Sequence, residues 1–150
     1  MSEHIVTVEW DRNGSSFEYE KYPRDHRLHF DNGLIVRGSS APEFLGNTEC
    51  IDPEEALVAA LSSCHMLTFL AVCSKKNLTV NRYHDHAVGF LEKNAAGKLA
   101  ITKVILKPEV SFEGVVVNHE EQLKLHQKAH NACFIANSVN SEVILEPIFS

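Results

Sequence analysis

Hydrophobic and polar positions change their period several times along this chain. From residue 3 to residue 38 apolar residues fall into short, mostly alternating runs. Ile5, Val6 and Val8 lead to Trp10, Phe17 and Tyr19 are separated by one polar residue, and Leu28 and Phe30 flank His29. A period of two is that of a strand with one wet face. Asp11-Arg12-Asn13-Gly14 and Asp31-Asn32-Gly33 supply the turns, so the stretch predicts an antiparallel meander that closes on Leu34–Val36. Residues 39–51, with Ser39, Ser40, Pro42, Gly46 and Asn47, read as loop.

The pattern then turns helical. Asp52 is an N-cap, Pro53 suits the first helical position, and Glu55 stands three residues after the cap. Glu54 and Glu55 complement the positive end of the helix dipole. The run from Ala56 to Val72 is almost wholly apolar, and Lys75 and Lys76 close it, which predicts a helix over 52–76. A helix apolar on nearly every side is buried on nearly every side, in a core or an oligomer interface. Strand pattern returns over 79–116, with Val80, Tyr83, Ala87–Phe90, Leu99–Leu106 and Val110–Phe112 separated by a turn at Asn94–Gly97. Asn118 caps a second helix predicted over 118–138, with Glu120 and Glu121 in its first turn, and Val143–Ile148 is a last strand. Strand runs interrupted by two helices indicate an α+β fold.

Length and charge narrow the function. At 150 residues one domain over 1–150 is expected, with no need of a disulfide or metal staple. With 14 Lys and Arg against 20 Asp and Glu the net charge is −6, which argues against a nucleic-acid or anionic-membrane binder. No apolar run is expected to reach the ~20 residues of a membrane span. The first ten residues mix Glu, His and Thr with apolar residues and do not resemble a signal or transit peptide, so a cytoplasmic location is expected. The cysteines Cys50, Cys64, Cys73 and Cys133 form no C-x-x-C pair, and in a reducing compartment each is structural, metal-binding or catalytic. No Gly-rich phosphate loop, H-E-x-x-H or G-x-S-x-G is present.

Three groupings could carry chemistry. Cys64 lies mid-helix in Ser62-Ser63-Cys64-His65-Met66, as a small buried hydrophobe or as a thiolate. A thiolate there would need a cation from elsewhere in the fold, because the helix N-terminus is too far away. His126, His130 and Cys133, at i, i+4 and i+7, would share one helical face with His119 pointing roughly the same way, either as a metal site or as a half-exposed polar face. Arg12 in the first turn and Arg24 in Tyr22-Pro23-Arg24-Asp25-His26-Arg27 are solvated residues or candidates for a cleft, and His84 and His86, two apart on one strand face, are exposed strand residues or a two-ligand metal pair.

Asp52-Pro53-Glu54-Glu55-Ala56-Leu57 through Ala59-Ala60-Leu61-Ser62-Ser63-Cys64-His65 resembles the central helix of the OsmC/Ohr family, the osmotically inducible and organic hydroperoxide resistance proteins. The family's hallmark is a Pro-Glu at the helix start with a cysteine ten residues after the Glu, matched by Glu54 and Cys64. Cys133, in Ala132-Cys133-Phe134-Ile135-Ala136, matches its second cysteine. The likeness spans roughly residues 4–146. It implies an intertwined homodimer with active sites at the interface, and a peroxidase without metal or organic cofactor. By similarity Cys64 attacks an organic hydroperoxide and becomes a sulfenic acid, and Cys133 resolves it as a disulfide. A dithiol reductant, such as a lipoylated protein, then restores the thiols. The resemblance also implies an arginine beside Cys64, either Arg12 or Arg24, held by Glu54. Two positions depart from the family pattern: Phe134 stands where Pro is common, and His65 where many members have an apolar residue. His65 could tune the thiol or reach the dimer interface. Cys50 and Cys73 match no family role. The competing classes are a metal-binding or sensing module on His126, His130 and Cys133, and a non-catalytic dimer that binds an apolar small molecule.

Overall fold

A computed structural model describes residues 1–149, and the fold is α+β with two helices, as the pattern predicts. The chain forms two compact units, Met1–Ala56 and the part from Leu57 onward. In the first, strands β1 (Val6–Glu9), β2 (His26–Phe30) and β3 (Ile35–Gly38) make an antiparallel sheet in the order β1-β2-β3. The turn between β2 and β3 is the predicted one, with Gly33 at φ 86°. The alternation at Phe17 and Tyr19 does not form a strand. Residues 11–25 are turns and irregular backbone, with Phe17 and Tyr22 packed around Trp10 at ring separations of 6.0 and 6.4 Å. Aromatic packing takes the place that ladder hydrogen bonds would have in a strand.

Helix α1 (Pro53–Lys75) begins with the predicted capping box. The Glu55 N–H donates to Asp52 Oδ1 at 2.7 Å, and the Asp52 N–H donates to Glu55 Oε2 at 3.3 Å. Contrary to expectation, α1 is long and apolar enough to cross a membrane by length and composition. The reason is plain in the sequence, where residues 56–74 hold no Asp, Glu, Lys or Arg. Its fully buried positions form one stripe, Leu61, His65, Phe69 and Cys73, at intervals of four. Such a stripe is that of a core helix. The remaining faces are half-buried or exposed, so one copy of the chain does not bury α1 on all sides.

Beyond α1 come β4 (Val80–Asp85), β5 (Val88–Lys93), β6 (Leu99–Leu106), β7 (Pro108–Phe112), α2 (His119–Ala132) and β8 (Glu142–Leu145). Strand β5 pairs with β6 as a hairpin and β4 pairs with β7, both antiparallel, while β8 returns parallel to β6. Two apolar clusters hold this unit together. One joins Phe69 and Cys73 of α1 to Val110, Val117, Leu125 and Ala129. The other joins Leu61 to Val104 and Leu106, with Ile135 and Ala136 packed against it. Gly89 on β5 is needed for close packing, since a Cβ there would lie 2.5 Å from Val58 Cγ2.

Helix α2 starts where expected, with the Glu121 N–H bonded to Asn118 Oδ1 at 2.9 Å. It ends six residues before the predicted boundary of 138, at Ala132. Cys133 is the C-cap, with extended dihedrals (φ −72°, ψ 116°), and a short 3-10 turn, Ala136–Ser138, follows.

Candidate active site

The early end of α2 builds the site. Cys133 is buried, its N–H donates to the His130 carbonyl at 3.2 Å, and its own carbonyl accepts from the Asn137 N–H at 3.1 Å. That turn directs a row of backbone N–H groups at sulfur. The Ala136 N–H lies 3.5 Å from Cys133 Sγ, and the N–H groups of Phe134 and Ile135 serve Cys64. Cys64 comes from the middle of α1, half-buried, and its thiol and that of Cys133 each shift the other's ionisation. Both cysteines are free thiols.

The two sulfurs are inequivalent. Burial opposes ionisation of Cys64, but hydrogen bonds from the Cys133 thiol, from the Ile135 and Phe134 N–H groups, and from the neighbouring Thr68 hydroxyl outweigh it and lower its pKa. Burial pushes Cys133 up, and the proton it donates to Cys64 pushes it further, against a smaller opposing effect of the Ala136 N–H. The Thr68 contribution is the smallest, because its one hydroxyl proton is donated to the Cys64 carbonyl at 2.8 Å. The arrangement favours ionisation of Cys64, through neutral donors, over ionisation of Cys133 beside it.

Of the other sequence candidates, Arg12, Arg24 and Glu54 lie in the first unit, and the two arginines are occupied there. Arg12 donates to the Ser15 carbonyl at 2.5 Å. Arg24 donates to the carbonyls of Tyr22 and Tyr19, and its guanidinium lies 3.6 Å from the Tyr22 ring centroid. Glu54 is the second residue of α1, with Oε2 buried and without a hydrogen-bond partner among the described residues. Cys73 lies in the core, where burial raises its thiol to about 11, and Cys50 is half-buried in the loop before α1.

The proposed metal face is not formed. Among the described residues, no group of three or more His, Cys, Asp or Glu side chains converges to hold a metal ion. Cys133 lies past the end of α2 with an extended backbone, so the i, i+4, i+7 alignment with His126 and His130 breaks. His126 is fully buried and its Nδ1 lies 3.0 Å from His65 Nε2. His119 stacks on Phe149 at 4.1 Å.

Two features escaped the sequence. The backbone donors of Phe134 and Ile135 carry no side-chain signature. The His65–His126 pair did leave one, because each histidine interrupts an apolar stripe, and a buried imidazole needs a polar partner.

The chain is 46% identical to an OsmC-like protein of unknown function from Vibrio cholerae, with a TM-score of 0.93 and coverage of 99% of this chain and 100% of that one. It shares its fold with the organic hydroperoxide resistance protein OhrB of Bacillus subtilis at 18% identity and a TM-score of 0.70, covering 99% and 98% of the two chains. It is also 25% identical to the uncharacterised protein YmaD of Bacillus subtilis, over 77% of this chain and 79% of that one. The family model for OsmC-like proteins matches residues 46–147, a span that contains Glu54, Cys64 and Cys133, and the chain belongs to that family.

Proposed function

We propose that the chain is a cysteine-based peroxidase that reduces organic hydroperoxides and, more weakly, hydrogen peroxide. The observation that carries this is the contact between a thiol whose ionisation is favoured, Cys64, and one whose ionisation is opposed, Cys133. Family membership and a fold shared with proteins named for organic hydroperoxide resistance support a redox role of this general kind.

The Cys64 thiolate attacks the distal oxygen of the hydroperoxide. The O–O bond breaks, the alkoxide takes a proton and leaves as the alcohol, and Cys64 becomes a sulfenic acid. Cys133 sulfur then attacks Cys64 sulfur, an S–S bond forms, and the hydroxyl leaves as water. An external dithiol, for which a lipoylated protein is suited, reduces the disulfide by exchange and is itself oxidised. No metal or organic cofactor enters these steps.

We also assign Glu54 and one arginine, Arg12 or Arg24, to the working site. The buried, unpartnered Glu54 Oε2 calls for a cationic donor, which supports pairing it with an arginine. The working form is a homodimer in the cytoplasm. Apolar side chains left open in one copy support the dimer, among them Val8, Ile35, Leu67 and, 80% exposed, Phe134.

The test is consumption of an organic hydroperoxide with a dithiol donor. Cys64→Ser abolishes turnover, and Cys133→Ser permits oxidation of Cys64 but not the disulfide. Full activity in Cys64→Ser refutes the mechanism. A wild-type Cys64 that does not react with peroxide points instead to a non-catalytic binding dimer.

A further inference from the structure

We propose that the His65–His126 hydrogen bond is a clamp that sets the separation of α1 and α2 at which the Cys64 and Cys133 sulfurs meet. His65 and His126 are thereby positioning residues for disulfide formation. The peroxidase function gives the clamp its use, but the geometry stands without it.

His65 follows Cys64 directly, and Cys133 is the cap that ends the helix bearing His126. The imidazole pair and the thiol pair are therefore two rungs between the same two segments. His65 Nε2 and His126 Nδ1 are 3.0 Å apart, and both residues are within 1% of complete burial. Among the described residues, this is the one side chain–side chain hydrogen bond that joins α1 to α2. The rings are nearly parallel, 5.3 Å apart at 12°, and Phe69 stacks on His126 at 4.2 Å and 19°, fixing the orientation of that ring.

Filling this space alone does not require imidazoles. A leucine or phenylalanine would complete the apolar stripe without the cost of burying ring nitrogens. Each ring also keeps a second nitrogen buried and unpartnered, His65 Nδ1 and His126 Nε2. The bond needs a neutral ring to accept, and with both rings neutral one donates and the other accepts. Burial favours that state in both rings, against the attraction of Asp85 for a proton on His65 and with the help of His130. The bond is thus present throughout the neutral range, and it is a fixed tie rather than a switch.

The consequence falls on the sulfenic acid. With the helices tied, the Cys133 thiol is already beside Cys64 when the sulfenic acid forms, and S–S formation with loss of water precedes a second oxidation. Untied, α2 relaxes in the dithiol form. The disulfide must then re-impose the separation, and a second peroxide converts waiting Cys64 sulfenic acid to the sulfinic acid, itself being reduced to alcohol.

The test uses the full chain and two readouts, the equilibrium constant of the Cys64–Cys133 disulfide against glutathione, and the fraction of Cys64 sulfinic acid after a fixed excess of peroxide. His126→Leu, and His65→Phe with His126→Leu, should each lower the equilibrium constant about tenfold and raise the sulfinic fraction. His126→Asn, which keeps a polar atom near the Nδ1 position, should hold the constant within about threefold of wild type. Should His126→Leu fail to fold, His126→Gln displaces the polar group by one carbon and carries the same expectation. An unchanged constant in the apolar variants, with only a lower melting temperature, overturns the clamp, because a purely structural bond stabilises the dithiol and disulfide forms equally. The constant is measured with glutathione alone. A wild type inert to peroxide therefore refutes the peroxidase function and leaves the clamp to be decided by the constant.

Discussion

Replacing Cys133 by alanine removes the side-chain donor that helps most to favour ionisation of Cys64, and leaves the Phe134 and Ile135 N–H groups in place. A hydrogen bond to a charged acceptor contributes roughly 1.5–3 kcal/mol, but a thiol is a weak donor and Cys64 is only half-buried, so about 1 kcal/mol is the reasonable figure. At a pH below its pKa, the alkylation rate of Cys64 follows its thiolate fraction, and about 1 kcal/mol corresponds to a roughly fivefold slower reaction. Cys133→Ser restores a donor of similar size and a stronger one, so its rate should equal or exceed that of wild type. The assay is iodoacetamide labelling against pH, with the Cys64 peptide quantified by mass spectrometry so that Cys50 and Cys73 do not contribute. An alanine variant that reacts at the wild-type rate, or a serine variant as slow as alanine, would refute the donor role of Cys133.

Three further expectations concern the fold that carries the site. Gly89→Ala should destabilise the protein by about 1–3 kcal/mol in chemical denaturation, since the new Cβ would lie 2.5 Å from Val58 Cγ2, and Val58→Ala should recover most of the loss. Asp52→Ala removes the side-chain acceptor of the Glu55 N–H and should cost about 1 kcal/mol by the same measurement. Burial holds His65 down to about 4 and His126 to about 3, below their ordinary value of 6.5, so the unfolded chain binds these protons first. Stability should therefore be complete above about pH 6.5 and fall as pH drops through the two lowered values. A His65→Phe, His126→Leu double variant should show a flatter acid limb, and an unchanged limb would contradict the assignment.

The parts of this structure legible in the sequence are those fixed by neighbours in the chain. Asp52, Pro53 and Glu55 specify the start of α1 through bonds spanning three residues, and Asn118 does the same for α2. Non-local events were not legible. Phe17 and Tyr19 have strand spacing, yet they belong to an aromatic group around Trp10 and Tyr22, and Arg24 takes carbonyls that a ladder would use. The C-terminus of α2 has no glycine or proline to mark it, and only the fold shows why it stops at Ala132. Had the helix continued to residue 138, the N–H groups of Phe134 and Ile135 would bond back to its own carbonyls instead of facing Cys64.

The surroundings of each sulfur distinguish the cysteines. A mid-helix thiol has no intrinsic advantage as a nucleophile, and burial alone drives it the wrong way, as Cys73 shows with a thiol raised to about 11. Cys64 and Cys73 lie on one helix, nine residues apart, so the helix cannot be the cause of their difference. The difference is in what faces them. Cys73 meets the apolar residues around Phe69, whereas Cys64 meets a helix end whose unused N–H groups point outward, together with a second thiol. The end of one helix thus supplies to the middle of another the donors it lacks, and the same end carries the residue that completes the redox pair. Activation and resolution are coupled by construction, because both depend on α2 stopping at Ala132 and on the distance between α1 and α2.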